Sequence, residues 1–299
     1  MIKIILIKLL LLKGLQKELL PVFNSKRLAL SLITATVLYS ALVHASLPIV
    51  KLSGEIEQGA LVLGKTANNN QVTFDGKALS LTAHGDFVFG FSRDDNKTHQ
   101  LVIINAHGEQ IVKKLTPKKR QYKIQRITGI AKKIMQPSTK AIVRIKKDNK
   151  QIKQARAVKS NIAAFAQGFI APNQGKITGV YGSQRYFNGK PKRPHFGLDF
   201  AAPTGAVVLA PAGGVVTLFV ADMFYSGGTL LIDHGHGISS TFLHLSKSYV
   251  KKGDIINKGQ KIAEVGSSGR ATGPHLDWRI NWHNVRLDPA LALKIAPIK

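Results

Sequence analysis

The segment His195-Phe196-Gly197-Leu198-Asp199-Phe200 alternates polar and apolar side chains with a period of two residues. In a strand, this alternation places His195 and Asp199 on one face and the three apolar side chains on the other. Gly197 removes a side chain that would otherwise stand between the two polar residues. The pattern therefore predicts a strand whose polar face offers an imidazole and a carboxylate, with room for an ion. Taken alone, a His and an Asp at this spacing are more often a surface pair.

A second segment, Gly273-Pro274-His275-Leu276-Asp277-Trp278, has the same arrangement, with His275 and Asp277 on one face and two apolar side chains on the other. A third, Thr241-Phe242-Leu243-His244-Leu245, is an apolar strand that contains a single histidine. Taken alone, His244 is better interpreted as a buried, hydrogen-bonded histidine. Six of the ten histidines fall between residues 195 and 283, however, and this density favours a metal site.

Short apolar runs separated by turn signals extend over much of the remaining chain. Runs that predict strands lie at residues 60–64, 72–74, 87–90, 101–104, 207–209, 214–219, 229–233 and 261–265. We therefore predict a mainly β protein with a small β-sandwich amino-terminal domain at residues 46–127 and an antiparallel β domain at residues 169–299. The histidines of the first domain, His84, His99 and His107, lie apart near turns and are interpreted as surface residues.

The chain is strongly basic from the end of the first predicted domain to shortly before the second. Residues 113–159 contain seventeen Lys and Arg residues against one acidic residue, Asp148, and the composition of residues 141–157 suits a polar helix. We predict a basic helical linker at residues 128–168. It is either an ordinary solvated helix and loop or an electrostatic tether to anionic envelope polymers or a membrane surface, where each basic residue contributes up to about 1 kcal/mol.

The whole chain carries 43 Lys and Arg residues against 16 Asp and Glu, a formal net charge of +27 that predicts a polyanionic partner. Near the amino terminus, Lys26 and Arg27 precede sixteen uncharged residues, and the small residue Ala45 follows. This pattern predicts a signal peptide with an N-terminal extension at residues 1–45, cleaved after Ala45; an uncleaved anchor is the alternative. We expect an exported protein of the periplasm or cell envelope, with no nucleic acid partner. The lack of cysteine excludes a disulfide scaffold and Cys-ligated metals.

Together, the three histidine-containing segments resemble the lysostaphin-type, or LytM-like, peptidoglycan endopeptidases over roughly residues 169–293. That family combines a His-x-x-x-Asp pair, a later His-Leu strand motif and a His-x-His pair after a Gly-Pro or similar turn, in the order found here. The resemblance implies zinc-dependent hydrolysis of peptide bonds in peptidoglycan through a metal-activated water. Rival nucleophile classes find no support, because the sequence lacks cysteine and a Gly-x-Ser-x-Gly elbow.

Carried over residue by residue, the resemblance implies that His195 and Asp199 are metal ligands and that His244 and His275 are catalytic. Asp277 stands where the family's third zinc ligand is usually histidine. Aspartate is a competent zinc ligand, and the set of His195, Asp199 and Asp277 leaves the open coordination position that catalysis needs. We expect one zinc ion per chain, although two carboxylates also suit a harder divalent metal such as manganese. The division of acid and base roles between His244 and His275 stays open.

The alternative function is that of a non-catalytic LytM-like regulator that activates another cell-wall hydrolase. Such proteins have typically lost ligands, whereas every ligand position here keeps a ligand-capable side chain, so the enzyme is favoured. We expect His234, His236 and His283 not to be metal ligands and to lie at turns or on the rim; the alternative is a contact with a metal ligand. The basic stretch at residues 185–193 is expected to form a loop beside the cleft, where it could meet peptide carboxylates. Nothing in the pattern predicts an oligomeric state.

Overall fold

The computed structural model describes residues 47–129, 137–158 and 160–299. The signal peptide predicted at residues 1–45 lies outside these residues. Strands dominate the described part of the chain, so the prediction of a mainly β protein is confirmed. Within the same residues, no helix is both long and apolar enough to cross a membrane.

The amino-terminal strands form two antiparallel sheets that face each other. They are β1 Lys51–Ser53, β2 Leu61–Lys65, β3 Gln71–Phe74, β4 Lys77–Leu79, β5 Asp86–Gly90, β6 His99–Ile104 and β7 Gln110–Leu115. One sheet has the order β1-β2-β5 and the other β4-β3-β6-β7. Aromatic side chains fill the space between them, and Phe74 stacks on Phe89 with 4.7 Å between ring centroids. This arrangement agrees with the predicted β-sandwich.

The remaining strands form a small mixed sheet and a large antiparallel sheet. They are β8 Ile124–Ile127, β9 Lys176–Gly179, β10 Gln184–Phe187, β11 Lys190–Pro191, β12 Leu198–Ala201, β13 Val207–Leu209, β14 Gly214–Met223, β15 Gly227–Gly235, β16 Ile238–Ser248, β17 Ile255–Ile256, β18 Lys261–Val265, β19 His275–Trp282 and β20 Val285–Leu287. The small sheet has the order β11-β10-β8, with β8 and β10 parallel. The large sheet has the main path β17-β14-β15-β16-β19-β12-β9, to which β13, β18 and β20 add.

The β1-β2-β5 sheet is buried on both of its faces. Val62 and Phe89 belong to the aromatic core between the two amino-terminal sheets. Leu61, Leu63 and Val88 alternate with them and pack into the core of the large sheet. One sheet therefore serves two cores, and residues 47–299 form one compact unit. The boundaries proposed at residues 127 and 169 stay predictions.

Helix α1, Thr139–Arg156, coincides with the predicted polar helix to within two residues. It begins after Ser138, whose hydroxyl accepts a hydrogen bond from the backbone N–H of Ala141. The helix lies against the large sheet, where Asp148 accepts a hydrogen bond of 2.8 Å from the backbone N–H of Phe224. A short helix α2, Pro289–Ala292, follows β20, and a 3-10 helix spans Ala164–Gln167.

His99 is buried, so the prediction of a surface histidine is wrong at this position, whereas His84 and His107 are exposed as predicted. Its Nδ1 lies 2.6 Å from a carboxylate oxygen of Asp75 and its Nε2 lies 3.0 Å from one of Asp95. Burial works to lower the pKa of His99, but the hydrogen bonds to the two carboxylates raise it overall. The two carboxylates therefore favour the protonated, imidazolium form of the ring.

We predict that His99 stabilises the fold in its protonated form. Because its folded pKa lies above the unfolded value of about 6.5, the contribution is complete below about pH 6.5 and is lost as the pH rises through the folded pKa. Hydrogen bonds to charged groups contribute about 1.5 to 3 kcal/mol, and the half-exposed Asp75 favours the lower end. His99→Gln should therefore lower the free energy of unfolding by more at about pH 5.5 than at about pH 9.

Denaturant unfolding at the two pH values measures this difference. The variant His84→Gln, at an exposed position, serves as the control and should change little at either pH. An equal loss of stability for His99→Gln at both pH values would show that the ionised form of His99 adds nothing.

Candidate functional site

Two carboxylates lie directly opposite each other on adjacent strands of the large sheet. Asp199 on β12 pairs with Asp277 on β19, and the neighbouring pair is Leu198 with Trp278. Leu198 and Trp278 are buried, and a slip of one residue would turn them out of the core, so the register is fixed by packing. Like charges directly opposite each other repel. The register therefore creates a place where a positive charge is favourable.

Each of these carboxylates occupies space that a glycine leaves open. A Cβ on Gly197 would lie 2.0 Å from Oδ1 of Asp277, and a Cβ on Gly179 would lie 2.0 Å from Oδ2 of Asp199. We expected Gly197 to make room for an ion. It makes room for the carboxylate of Asp277 instead.

His195 precedes β12, so it lies in the preceding loop and not on the strand as predicted. Its Nε2 is 3.1 Å from Oδ1 of Asp199 but not in hydrogen-bonding geometry, and neither of these buried atoms has another hydrogen-bond partner in the described part of the chain. Single ligand atoms of His195, Asp199 and Asp277 all lie within 4.8 Å of one another. Because buried polar atoms normally have partners, this group fits a bound cation.

The electrostatic environment of these three side chains also favours positive charge. Burial works to lower the pKa of His195, but Asp199 and Asp277 raise it overall. Burial alone would raise the pKa of Asp277, but the guanidinium of Arg279 holds it below its usual value. The three predicted ligands are therefore together in the structure, in surroundings suited to a cation.

Arg279 is a site residue that the sequence interpretation missed. Its Nε lies 2.9 Å from Oδ1 and 3.1 Å from Oδ2 of Asp277, so it donates to both carboxylate oxygens. A carboxylate offers about four acceptor positions, and Asp277 can accept from Arg279 and still bind a metal. Arg279 follows His275 and Asp277 at a spacing of two on β19, so the strand alternation could have identified it.

His244 and His275 lie beside this group with 4.7 Å between their ring centroids. Nδ1 of His244 is 2.8 Å from the carbonyl oxygen of Ser268, and Nδ1 of His275 is 2.8 Å from that of Gly273. Because a carbonyl only accepts, both rings carry a proton on Nδ1 and keep a lone pair on Nε2 when neutral. Burial lowers the pKa of His244, so this ring is neutral at neutral pH.

His244 also adopts an uncommon backbone conformation. It lies at an irregularity of β16, and its φ of 63° is rare for a residue other than glycine. Such conformations cost about 1 to 3 kcal/mol and occur preferentially at functional sites. The strained backbone at His244 is consistent with a functional role for the position of its side chain.

The five predicted site residues line one cleft of about 810 Å³. Basic and polar residues of the small sheet and the segment around it form one wall: Lys123, Gln125, Arg185, Lys192 and Arg193. The stretch predicted to lie beside the cleft does so, but it contains the hairpin of β10 and β11 where a loop was expected. Strand β8, which lies within the basic stretch at residues 113–159, forms part of the same wall.

His234 is completely buried, and the prediction that it lies at a turn or on the rim is wrong. Its Nδ1 donates to the carbonyl oxygen of Gly213 at 2.6 Å, and its Nε2 accepts from the hydroxyl of Ser240 at 2.8 Å. Burial lowers its pKa to about 4, so it is a neutral core residue. His236 and His283 lie in turns as predicted.

Comparisons with known proteins agree with this site. Residues 193–289 match the family model described as Peptidase family M23. The chain is 43% identical over 95 residues to peptidoglycan DD-endopeptidase ShyB of Vibrio cholerae serotype O1, covering 32% of this chain and 22% of ShyB. It is 42% identical over 101 residues to peptidoglycan DD-endopeptidase ShyA of the same organism, covering 34% and 23%. The chain thus spans less than a quarter of the length of these curated relatives.

A longer match exists among solved structures. The crystal structure of a candidate M23 peptidase from Pseudomonas aeruginosa superposes with a TM-score of 0.60 at 26% identity, over 82% of this chain and 93% of that chain. This likeness extends well beyond the segment that matches the family model. Residues 193–289 therefore contain a domain of Peptidase family M23, which supports the resemblance to the LytM-like peptidases.

Proposed function

We propose that this protein is a zinc-dependent endopeptidase that hydrolyses crosslinks or stem peptides of bacterial peptidoglycan. The proposal is carried by the buried, unpartnered atoms of His195 and Asp199 beside Asp277, next to two histidines with accepting Nε2 atoms. The names of ShyA and ShyB, both peptidoglycan DD-endopeptidases, support the choice of substrate.

His195, Asp199 and Asp277 would hold the zinc ion. Arg279 would support Asp277 by donating hydrogen bonds to its carboxylate. An imidazole with two carboxylates carries two negative charges, which would make a bound water less acidic. The guanidinium of Arg279 offsets one of them, so the ligands and their partner together carry one negative charge. That is the charge of a set with two histidines and one aspartate. Arg279 would also fix the orientation of Asp277, as outer partners of metal ligands do.

Zinc at this site supplies Lewis acidity, which polarises the scissile carbonyl and lowers the pKa of water. One of the two histidines, His244 or His275, accepts a proton from the attacking water at Nε2. The other, once protonated, donates to the developing oxyanion or passes the proton to the leaving amine. Backbone carbonyls hold both rings through Nδ1, so little reorganisation is needed. General acid–base catalysis of this kind contributes about 100-fold to 10,000-fold.

A second candidate function is that of a non-catalytic regulator of another cell-wall hydrolase. The pair of Asp277 and Arg279 favours it, because the guanidinium already supplies a positive charge next to the two carboxylates. Metal content distinguishes the two candidates.

We further propose that the protein acts in the periplasm or cell envelope and that its basic segment binds anionic polymers or a membrane surface. Supporting this tether, the lysines of α1 are exposed: Lys140, Lys146, Lys147, Lys150 and Lys153. The attraction would weaken with salt. Residues 46–127, 128–168 and 169–299 remain the proposed functional divisions.

We predict that His195→Ala and Asp277→Ala lose the metal, whereas His275→Ala keeps it and loses turnover. The unaltered protein should hold about one zinc ion, because the three ligands form one site. His275→Ala should release muropeptides from purified sacculi at least about 100-fold more slowly. Elemental analysis measures the metal, and chromatography measures the released muropeptides.

The exposed His84→Gln variant is the matched control and should keep both metal and activity. A protein that purifies without metal and stays inactive after zinc, manganese and cobalt are supplied would exclude the endopeptidase and support the regulator.

We also predict that Gly197→Ala weakens zinc binding. The added Cβ would overlap Oδ1 of Asp277, so this carboxylate must move together with Arg279. Displacing such a supported ligand should lower zinc affinity by about 10-fold to 100-fold, measured by competition with a chelator. Ile177→Ala, at an exposed position in the cleft wall, is the control. Unchanged affinity in Gly197→Ala would show that zinc binding does not need Asp277 in this position.

A further inference from the structure

A second cavity, of about 150 Å³, lies between helix α1 and the large sheet. Tyr225, His244, Arg193 and Arg279 line both this cavity and the cleft, so the two spaces adjoin beside a predicted catalytic histidine. A ligand that lies in the cleft would therefore lie next to this cavity.

Four of the residues that line this cavity are arginines: Arg156, Arg193, Arg279 and Arg286. Arg279 pairs with Asp277, and none of the other three forms an ion pair within the described part of the chain. One acidic residue, Asp148, also lines the cavity, and it accepts a hydrogen bond from the backbone N–H of Phe224. The cavity therefore gathers more positive charge than the protein itself neutralises.

The hydrogen bonds of these arginines are also incomplete. Arg156 donates from Nη2 to the hydroxyl of Thr241 at 3.1 Å, but its Nε is buried without a partner. Arg286 makes a long contact of 3.4 Å to Oδ1 of Asn281. Because a guanidinium has five N–H donors, both groups retain donors for a ligand.

The crowding of like charges is unfavourable in the free protein. Burial and the neighbouring arginines lower the pKa of Arg156 to about 10 and that of Arg286 to about 8. An anion in the cavity would offset both effects. Natural proteins commonly give up stability in this way at sites that bind a ligand.

We propose that this arginine-lined cavity is a subsite for a free carboxylate of the peptide substrate, next to the bond that is cut. The proposal rests on the peptidase function proposed above. Arginine presents its donors as a planar fork that matches the two oxygens of a carboxylate. Stem peptides carry such groups at the C terminus and on the side chain of a diamino dicarboxylic acid. The helix of the basic segment would then contribute Arg156 directly to substrate recognition.

Paired synthetic peptides test the proposal by binding, without relying on turnover. The His275→Ala variant is titrated calorimetrically with stem peptides whose C-terminal carboxylate is either free or a carboxamide. A second pair differs in the same way at the side-chain carboxylate of the diamino acid. We expect amidation to weaken binding about tenfold or more in one pair, which identifies the carboxylate that enters the cavity.

Substitutions assign this preference to the cavity. In the same background, Arg156→Met and Arg286→Met should abolish the preference for the free carboxylate. Arg144→Gln is the matched control, because Arg144 lies on the same helix but pairs with Asp222 at the surface. Since the Met variants remove crowded positive charge, their melting temperatures should not fall. Arg156→Lys keeps the charge with fewer donors and should retain part of the preference, which gives a second measurement if a Met variant fails to fold.

Equal binding of free and amidated peptides in both pairs overturns the proposal, even if zinc-dependent release of muropeptides shows that the peptidase function is correct. An equal loss of preference in Arg144→Gln also overturns it, by assigning the effect to overall charge. Binding of inorganic phosphate without any carboxylate preference does the same, by showing an unselective anion site. If the unaltered protein has no hydrolytic activity and the preference still depends on Arg156, the subsite is supported and the proposed enzyme is rejected.

Discussion

The repulsion between two opposed carboxylates governs the arrangement of the site. The register of β12 and β19 is fixed by buried apolar neighbours, and it holds Asp199 and Asp277 face to face. Glycines behind each carboxylate provide the space, and His195 and Arg279 provide positive or polarisable partners in front of them. Nε2 of His195 and Oδ1 of Asp199 make no hydrogen bond within the described residues, so the sheet creates both the geometry and the electrostatic demand for a cation.

In the proposed zinc site, Arg279 would explain how Asp277 can stand where the resemblance to LytM-like peptidases implies a histidine ligand. An imidazole ligand is neutral, and a carboxylate with a guanidinium attached is also neutral as a pair. The substitution thus changes the chemical type of the donor while preserving the charge of the surroundings. Arg279 also binds Asp277 from the same strand, which limits the freedom of this proposed ligand to rotate.

Local periodicity predicted the parts of this site that lie within single strands. The alternation along β19 placed His275 and Asp277 on one face correctly, and the boundaries of β13 and β18 were predicted to the residue. Periodicity could not show partners that tertiary packing supplies, such as Asp75 for His99. It could not show that α1 brings Arg156 to the sheet either. His234 was misplaced because β15 continues to Gly235, two residues beyond the end of the strand predicted at residues 229–233.

The sheet of β1, β2 and β5 limits where the chain can be divided. Its apolar residues cover the core beneath the large sheet as well as their own, and Leu61, Leu63 and Val88 belong to that second role. A protein truncated to residues 169–299 would lose this cover and expose a contiguous apolar surface to water. Such surfaces favour aggregation, so poor solubility of the truncated protein would reflect a missing layer of its core. The β1-β2-β5 sheet and the large sheet should also unfold in one cooperative transition, because neither sheet completes its core alone.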